Sequence, residues 1–279
     1  MAKLILSAFA DEYSDFLEEQ CQALNKFDIG YIEIRGVDTK NVSELTKEEV
    51  NEAKQKLDNY GIKVSTIGSP LGKIKIDDDT VAHLEKAKRV FETANTLGTK
   101  NVRMFSFYLP EGKTREDCKG QIFDELEKLI VLAEKFGVTL CHENECQVYG
   151  ESPEQVYEIV KYFNGKLKCA FDMGNFTLEK YNPMDAYMLL KDYVEYFHIK
   201  DALYSGAIVP AGKGDAQIKE IIDLHKKLSA KDTFVSLEPH LKTFTGLEAM
   251  AHKQFDKPYE YKNQQEAFAD GVAKFRELL

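Results

Sequence analysis

The sequence predicts an α/β protein whose 279 residues form a single (β/α)8 TIM-barrel domain. Eight apolar runs recur along the chain, and segments with helical periodicity lie between them. Strands that alternate with helices form a parallel sheet, and eight such units is the number found in this barrel. A doubly wound open sheet is the alternative, but its first strand is usually followed by a glycine-rich phosphate loop. Here that turn reads FADEYSD, which contains no glycine.

The predicted strands are short and rich in Val, Ile, Leu and Phe. They cover residues 3–9, 30–36, 63–68, 101–107, 138–145, 168–174, 196–201 and 233–239. The first of them lies in the segment MAKLILSAFADE, which has one lysine and no cleavage pattern of small residues. This segment therefore predicts a first strand rather than a signal peptide.

The predicted helices are marked by amphipathic periodicity and by capping residues. Thr46 precedes one helix as an N-cap, and Ser152 with Pro153 begins another. Glycines close four of the helices, at Gly61, Gly98, Gly137 and Gly165. The helical segments cover residues 15–27, 46–61, 78–98, 114–137, 152–165, 182–193, 215–228 and 264–279.

One long irregular segment, residues 240–263, separates the last strand from the last helix. Loops of this length in compact domains tend to be lids or interfaces. The segment carries four aromatic residues, Phe244, Phe255, Tyr259 and Tyr261. We expect it to cover the pocket or to form a subunit contact, and the sequence does not choose between these.

Composition excludes several classes of partner. The chain carries 47 acidic and 37 basic residues, a net charge of −10, which argues against binding a nucleic-acid backbone. No apolar stretch approaches the ~18 residues that a membrane span needs. The five cysteines are odd in number and form no CxxC pair, which predicts a reduced, cytoplasmic compartment. We expect no nucleic-acid partner and no membrane partner.

Four predicted strands end in polar residues that suit one shared ligand. The segments VTLCHENE, KCAFDMGN, YFHIKD and FVSLEPH supply Glu143, Asp172, His198 and Glu238. In such a barrel the carboxyl ends of the strands meet at one face, where unpaired charges would be costly and would repel one another. A divalent metal ion is the simplest shared partner. Oxygen-rich sets suit Mn²⁺, Mg²⁺ or Co²⁺, and Zn²⁺ also accepts mixed carboxylate and imidazole ligands.

Each of these residues has a structural alternative when it is taken alone. A glutamate after a strand is often a helix cap, and a histidine on a strand is often a hydrogen-bonded core residue. His142 is offset by one position from Glu143, so its side chain should face the layer between strands and helices.

Further polar residues are candidates for contacting a substrate at the same face. Residues two apart on a strand share a face, which adds the neighbours of the predicted ligands. Two positions on strand two could contact hydroxyl groups of a substrate, with an interior ion pair as the alternative. A basic residue on strand four could contact a substrate phosphate or a neighbouring acid. These candidates are Glu33, Arg35, Arg103, Glu145, Lys200 and His240.

Five motifs carry a resemblance to a known family: HENE (142–145), FDMGN (171–175), FHIKD (197–201), VPAGKGD (209–215) and SLEPH (236–240). With these motifs the chain resembles the xylose isomerase-like TIM-barrel superfamily. Within it the chain resembles the branch of sugar phosphate isomerases and epimerases, which includes D-tagatose 3-epimerase-like and inosose dehydratase-like enzymes. The resemblance implies that the four strand-end residues bind one divalent metal ion. We expect this ion to be Mn²⁺, with Mg²⁺, Co²⁺ and Zn²⁺ as alternatives. The resemblance also implies that Glu143 and Glu238 transfer protons.

Two departures from the epimerase-like pattern concern the substrate. Asn175 stands where such enzymes often have a histidine, and residues 202–214 contain no arginine. The polar groups available there are Lys200, Asp201 and Lys213, which we expect to contact the substrate together with Asn175. The resemblance further implies a homo-oligomer.

The expected activity is isomerisation or epimerisation of a small sugar or sugar phosphate through an enediolate. One alternative is an inosose dehydratase-like lyase, which forms the same enediolate and then expels a hydroxyl group. A second is a sugar-binding barrel without catalysis. A third is an abasic-site endonuclease, which uses three metal ions and more histidine and aspartate ligands than this acidic chain, with six histidines, offers.

Overall fold

The computed structural model describes residues 2–243, 256 and 258–279. Eight parallel strands close into one barrel, each paired with its neighbours in sequence and the last paired with the first. The TIM-barrel prediction is therefore confirmed. The strands are β1 (Leu4–Ala8), β2 (Tyr31–Ile34), β3 (Lys63–Leu71), β4 (Asn101–Met104), β5 (Thr139–Glu143), β6 (Lys168–Asp172), β7 (Val194–Ile199) and β8 (Thr233–Leu237).

The described residues include nine α-helices around the barrel. They are α1 (Leu17–Lys26), α2 (Lys47–Tyr60), α3 (Thr80–Leu97), α4 (Arg115–Phe136), α5 (Pro153–Tyr162), α6 (Met173–Leu178), α7 (Pro183–Leu190), α8 (Ile218–Leu228) and α9 (Gln264–Arg276). Among these described helices, none is long and apolar enough to cross a membrane.

The capping signals in the sequence act as predicted. Thr46 and Ser152 each form a capping box at the start of α2 and α5. Gly61, Gly98 and Gly137 follow α2, α3 and α4 in the left-handed conformation, which glycine adopts without steric cost.

All eight predicted strands end one to three residues away from the observed ends. Three of these differences concern the surroundings of the site. β3 continues to Leu71, because a shift of register after Ile67 lets Leu71 accept a hydrogen bond from the Phe105 amide at 2.7 Å. β4 ends at Met104. β6 ends at Asp172, whose side chain accepts a hydrogen bond from the Asn175 amide and so begins the unpredicted helix α6.

The register of the strands aligns their polar ends. Asp172 of β6 and Ser236 of β8 both lie beside His198 of β7, and Glu143 of β5 lies beside Ala170 of β6. Two short antiparallel hairpins extend the loops at this end of the barrel. They join Gly36–Val37 to Lys40–Asn41 and Asp201–Ala202 to Ile208–Val209.

The segment after β8 is described only in part. Phe244 and Phe255 lie outside the described residues. The Tyr261 hydroxyl donates to Asp270 at 2.6 Å, and its ring packs against a small apolar cluster that includes Leu178 and Leu241. Tyr259 is exposed. A role as a pocket cover or a subunit contact stays a prediction.

Candidate metal and catalytic site

Four side chains converge at the carboxyl end of the barrel, where strands β5 to β8 end. Glu143, Asp172, His198 and Glu238 each offer one ligand atom, and these atoms lie within 4.8 Å of one another. All four residues are buried. The structure thus brings together the four residues that the sequence singled out, although metal binding by them stays a prediction.

His198 is the centre of this group. Its Nδ1 atom lies 3.2 Å from Glu143 Oε1, 3.5 Å from Glu238 Oε2 and 3.7 Å from Asp172 Oδ2. Within the described part of the chain, this buried nitrogen has no hydrogen-bond partner of acceptable geometry. A buried nitrogen that faces three carboxylates without a hydrogen bond has the donor set of a divalent cation site.

The charges of the site stabilise one another. Burial lowers the pKa of His198, but Glu33, Glu143 and Glu238 outweigh burial and raise that pKa well above its usual value. Burial raises the pKa of Glu143, but His198 and Arg103 lower it to about 2. Glu143 is therefore ionised at neutral pH.

Lys200 adds a second cation to this group. Its Nζ atom lies 2.8 Å from Asp172 Oδ2 and 3.2 Å from Glu238 Oε2. Lys200 thus contacts two of the predicted ligands.

The two predicted arginines form ion pairs inside the barrel. Arg35 donates to both oxygens of Asp11 at 2.8 and 2.9 Å and to Glu238 Oε1 at 2.8 Å. Arg103 donates to Glu143 Oε2 at 3.0 Å. Each arginine therefore holds one glutamate of the predicted acid–base pair. The structure supports the ion-pair alternative, and substrate contact by these arginines stays a prediction.

Asn175 contacts the predicted ligands rather than standing apart from them. Its amide side chain lies 3.3 Å from Glu143 Oε1 and donates to the Asn144 carbonyl at 2.9 Å. Its backbone amide donates to Asp172 Oδ1 at 2.7 Å. Asn175 thus links the ends of β5 and β6.

Asp201 and Lys213 lie on the loop after β7 and have local contacts. The Asp201 carboxylate accepts hydrogen bonds from the backbone amides of Ala202, Gly212, Gly214 and Ala216. The Lys213 side chain is exposed. The structure gives Asp201 a role in ordering the loop, and it does not bring either residue into the four-residue group.

Glu145 and His240 lie beside the group. Glu145 pairs with Lys73 at 2.9 Å. His240 Nε2 lies 3.4 Å from Glu238 Oε1 and 3.5 Å from Glu12 Oε1. Burial lowers the pKa of His240 to about 4, so this ring is neutral at neutral pH.

The sequence analysis missed several residues that surround the site. Phe9 packs edge-on against the His198 ring, with 5.1 Å between ring centroids, and lies under the Arg35 guanidinium. Asp11 and Glu12 of the FADE segment follow β1 in the same way that Glu143 ends β5. The signal of a polar residue at the end of an apolar strand could therefore have identified them. Lys73 follows the part of β3 that was not predicted. The missed residues are Phe9, Asp11, Glu12, Lys73 and Asn144.

The remaining sequence predictions near the site concern His142 and Glu33. His142 faces the strand–helix layer as expected, with Nε2 2.9 Å from the Ser106 hydroxyl. Glu33 contacts His198 Nε2 with both carboxylate oxygens at 3.2 Å, and a contact of Glu33 with a sugar hydroxyl stays a prediction.

Comparisons with known proteins identify the family. A family model described as xylose isomerase-like TIM barrel matches residues 21–275. No curated protein matches the chain. Among solved structures, IOLI protein with a binding zinc atom is 21% identical, with a TM-score of 0.77 over 99% of this chain and 97% of the other.

Two further structures have the same fold. The 3-keto-D-glucoside 4-epimerase YcjR from E. coli, in its apo form, is 14% identical, with a TM-score of 0.71 over 100% of this chain and 99% of the other. A D-tagatose 3-epimerase-like protein is 18% identical, with a TM-score of 0.69 over 83% and 89%. At these identities the structural likeness shows the fold alone. The family model spans most of the chain, and the protein therefore belongs to the xylose isomerase-like TIM-barrel family.

Proposed function

We propose that this protein is a divalent-metal-dependent isomerase or epimerase that acts on a small sugar through an enediolate. The observation that supports this proposal is that the Nδ1 atom of His198 lies among three carboxylates without a hydrogen bond within the described residues. One structural neighbour is described as an epimerase and another as holding a zinc atom, which supports an epimerase activity and a divalent metal ion. We propose Mn²⁺ as the ion, with Mg²⁺, Co²⁺ and Zn²⁺ as alternatives. Glu143, Asp172, His198 and Glu238 would hold it.

Glu143 and Glu238 are the proposed proton carriers. A divalent cation bound there would polarise a sugar carbonyl and its adjacent hydroxyl, which acidifies the C–H bond between them. The two glutamates lie on β5 and β8, with the other two ligands on the strands between them. One glutamate removes the proton, and the other, once protonated, returns a proton to the opposite face of the carbon. Their roles exchange with the direction of the reaction.

The charges around the site favour a neutral sugar over a sugar phosphate. Four basic side chains there each pair with a carboxylate: Lys73, Arg35, Arg103 and Lys200. A phosphate group carries about two negative charges and binds best to cations that are not already paired. We therefore expect kcat/KM for a neutral keto-sugar to exceed that for its phosphate ester by at least about tenfold, because the ester would have to displace a carboxylate. A faster reaction with the ester would contradict this choice.

The mechanism is tested with Glu238→Gln, which keeps the shape of the side chain but removes its ability to carry a proton. Turnover with added Mn²⁺ should fall about 10²- to 10⁴-fold, the usual contribution of a general acid or base. Glu195→Gln is the matched control, because Glu195 lies on β7 toward the opposite end of the barrel and pairs with Lys231. Full activity of the Glu238 variant would refute the mechanism. Products that have lost water would instead identify the lyase alternative.

A further inference from the structure

Glu33 contacts His198 on the ring nitrogen opposite to the predicted metal side. We propose that Glu33, held by Tyr196, is a positioning residue that fixes His198 with its Nδ1 atom toward the three carboxylates. This inference rests on the proposed function. It gives Glu33 a role through His198, in place of the direct sugar contact that the sequence suggested.

The contacts form a buried chain of three side chains. Both oxygens of Glu33 lie 3.2 Å from His198 Nε2. The Tyr196 hydroxyl donates to Glu33 Oε1 at 2.8 Å. Glu33 is 1% exposed, and both ring residues are 0% exposed. Water therefore has little access to these groups, and the carboxylate is the acceptor for the Nε2 proton.

The neighbouring rings restrict rotation of the imidazole. Tyr196 and His198 lie two apart on β7 and share its inward face, with 5.3 Å between their ring centroids. Phe9 packs against another edge of His198 at 5.1 Å. The imidazole is thus held on its sides by aromatic rings and at Nε2 by Glu33.

This arrangement fixes which nitrogen can serve as a ligand. An imidazole that binds a cation through Nδ1 carries its proton on Nε2, and a carboxylate that accepts this proton selects that tautomer. The same hydrogen bond raises the basicity of the ligand nitrogen. Without Glu33 the ring could adopt either tautomer, and its Nε2–H group would be buried without an acceptor.

The test is calorimetric titration of Mn²⁺ into the 279-residue chain and four variants. Glu33→Ala should weaken Mn²⁺ binding about 10- to 100-fold, the usual effect of removing such a partner of a metal-bound histidine. Glu33→Gln keeps an acceptor oxygen and should recover part of that affinity. Tyr196→Phe should cause a smaller loss than Glu33→Ala. The matched control is Tyr187→Phe, which removes a buried hydroxyl 3.1 Å from His225 Nδ1, outside the site, and should leave affinity unchanged.

The visible absorption spectrum of the Co²⁺-loaded protein provides a second measurement, because a loss of stability alone would not shift its bands. Glu33→Ala should shift the cobalt bands, and Tyr187→Phe should not. If the wild type binds Mn²⁺ and Glu33→Ala binds it equally well with an unchanged cobalt spectrum, the inference on Glu33 is wrong while the proposed function stands. If the wild type binds no Mn²⁺, the proposed function fails as well.

Discussion

Asn175 makes two contacts with the proposed ligands, one to Glu143 Oε1 and one to Asp172 Oδ1. Asn175→Ala removes only the side-chain contact, because the backbone amide remains. We expect turnover to fall on the order of tenfold, the kinetic equivalent of one hydrogen bond to a charged group. The measurement is steady-state kinetics with saturating Mn²⁺.

Asn182→Ala is the control for this variant, because the Asn182 side chain caps α7 away from the site. It should cost about 1 kcal/mol of stability, the usual value of an N-cap, and leave turnover unchanged. Equal kinetics for the Asn175 variant and the wild type would contradict the role given to Asn175.

Protonation of His83 should make the free energy of unfolding depend on pH. Its Nε2 atom accepts a hydrogen bond from the Gly72 amide at 3.0 Å. Burial, assisted by Lys86, lowers the pKa of His83 to about 4. The unfolded chain therefore binds this proton first, so the contribution to stability is present above pH ~6.5 and is lost as the pH falls toward ~4.

The test compares urea unfolding of the wild type and His83→Gln at pH 7 and pH 5. Glutamine keeps an acceptor oxygen but does not titrate. The wild type should lose about 2 kcal/mol more than the variant between these pH values. Identical losses would show that His83 does not carry this dependence.

At the residue scale, the sequence predicts which side chains meet but not what each one contacts. Glu143, Asp172, His198 and Glu238 lie at the carboxyl ends of four strands, which places them at one end of the barrel. The period of two along each strand determines which face of the strand they share. The partners of Arg35 could not be predicted, because Glu238 is 203 residues away along the chain and its approach depends on barrel closure. Glu33 was placed on the inward face, but its contact with His198 crosses the barrel in the same way.

At the scale of elements, the turn after β3 requires a glycine. Gly72 has a φ of +84°, and a Cβ atom there would lie 1.9 Å from the Phe105 carbonyl oxygen. Gly72→Ala should therefore cost more than about 3 kcal/mol, the sum of a left-handed alanine and a clash with backbone. The measurement is the free energy of unfolding in urea.

Gly112→Ala separates the two causes. Gly112 also has a positive φ, +75°, but a Cβ atom there would meet nothing within 4 Å. This control should cost only about 1–2 kcal/mol. Equal costs for the two variants would show that the close approach to Phe105 has no effect on stability.

The elements themselves were largely predictable, and their ends were not. Capping residues predicted the starts of α2 and α5 because they act locally. Helix α6 was missed because FDMGN continues an apolar strand pattern, while the Asp172 side chain turns the chain into a helix. The extension of β3 to Leu71 depends on pairing with β4, which is a property of the sheet rather than of the segment.

At the scale of the whole molecule, barrel closure is what makes the site. It brings residues that follow β1, and residues of β2, β4 and β5–β8, to one end of the barrel. Seven carboxylates come together there, and all but Glu145 are buried: Asp11, Glu12, Glu33, Glu143, Glu145, Asp172 and Glu238. Basic side chains of the same interior pair with several of these acids. The seven acids outnumber the four lysine and arginine side chains that pair with them, and a divalent cation would offset the excess.

The central claim is that the four strand-end residues bind one divalent cation. Calorimetric titration of Mn²⁺ into metal-free wild-type protein and His198→Ala tests it most directly, with Glu195→Gln as the control outside the site. We predict one ion per wild-type and control chain, and stabilisation of about 2.7 kcal/mol when free Mn²⁺ is 100 times the dissociation constant. His198→Ala should bind at least about 100-fold more weakly. Absence of binding by the wild type, or equal binding by His198→Ala, would contradict the account.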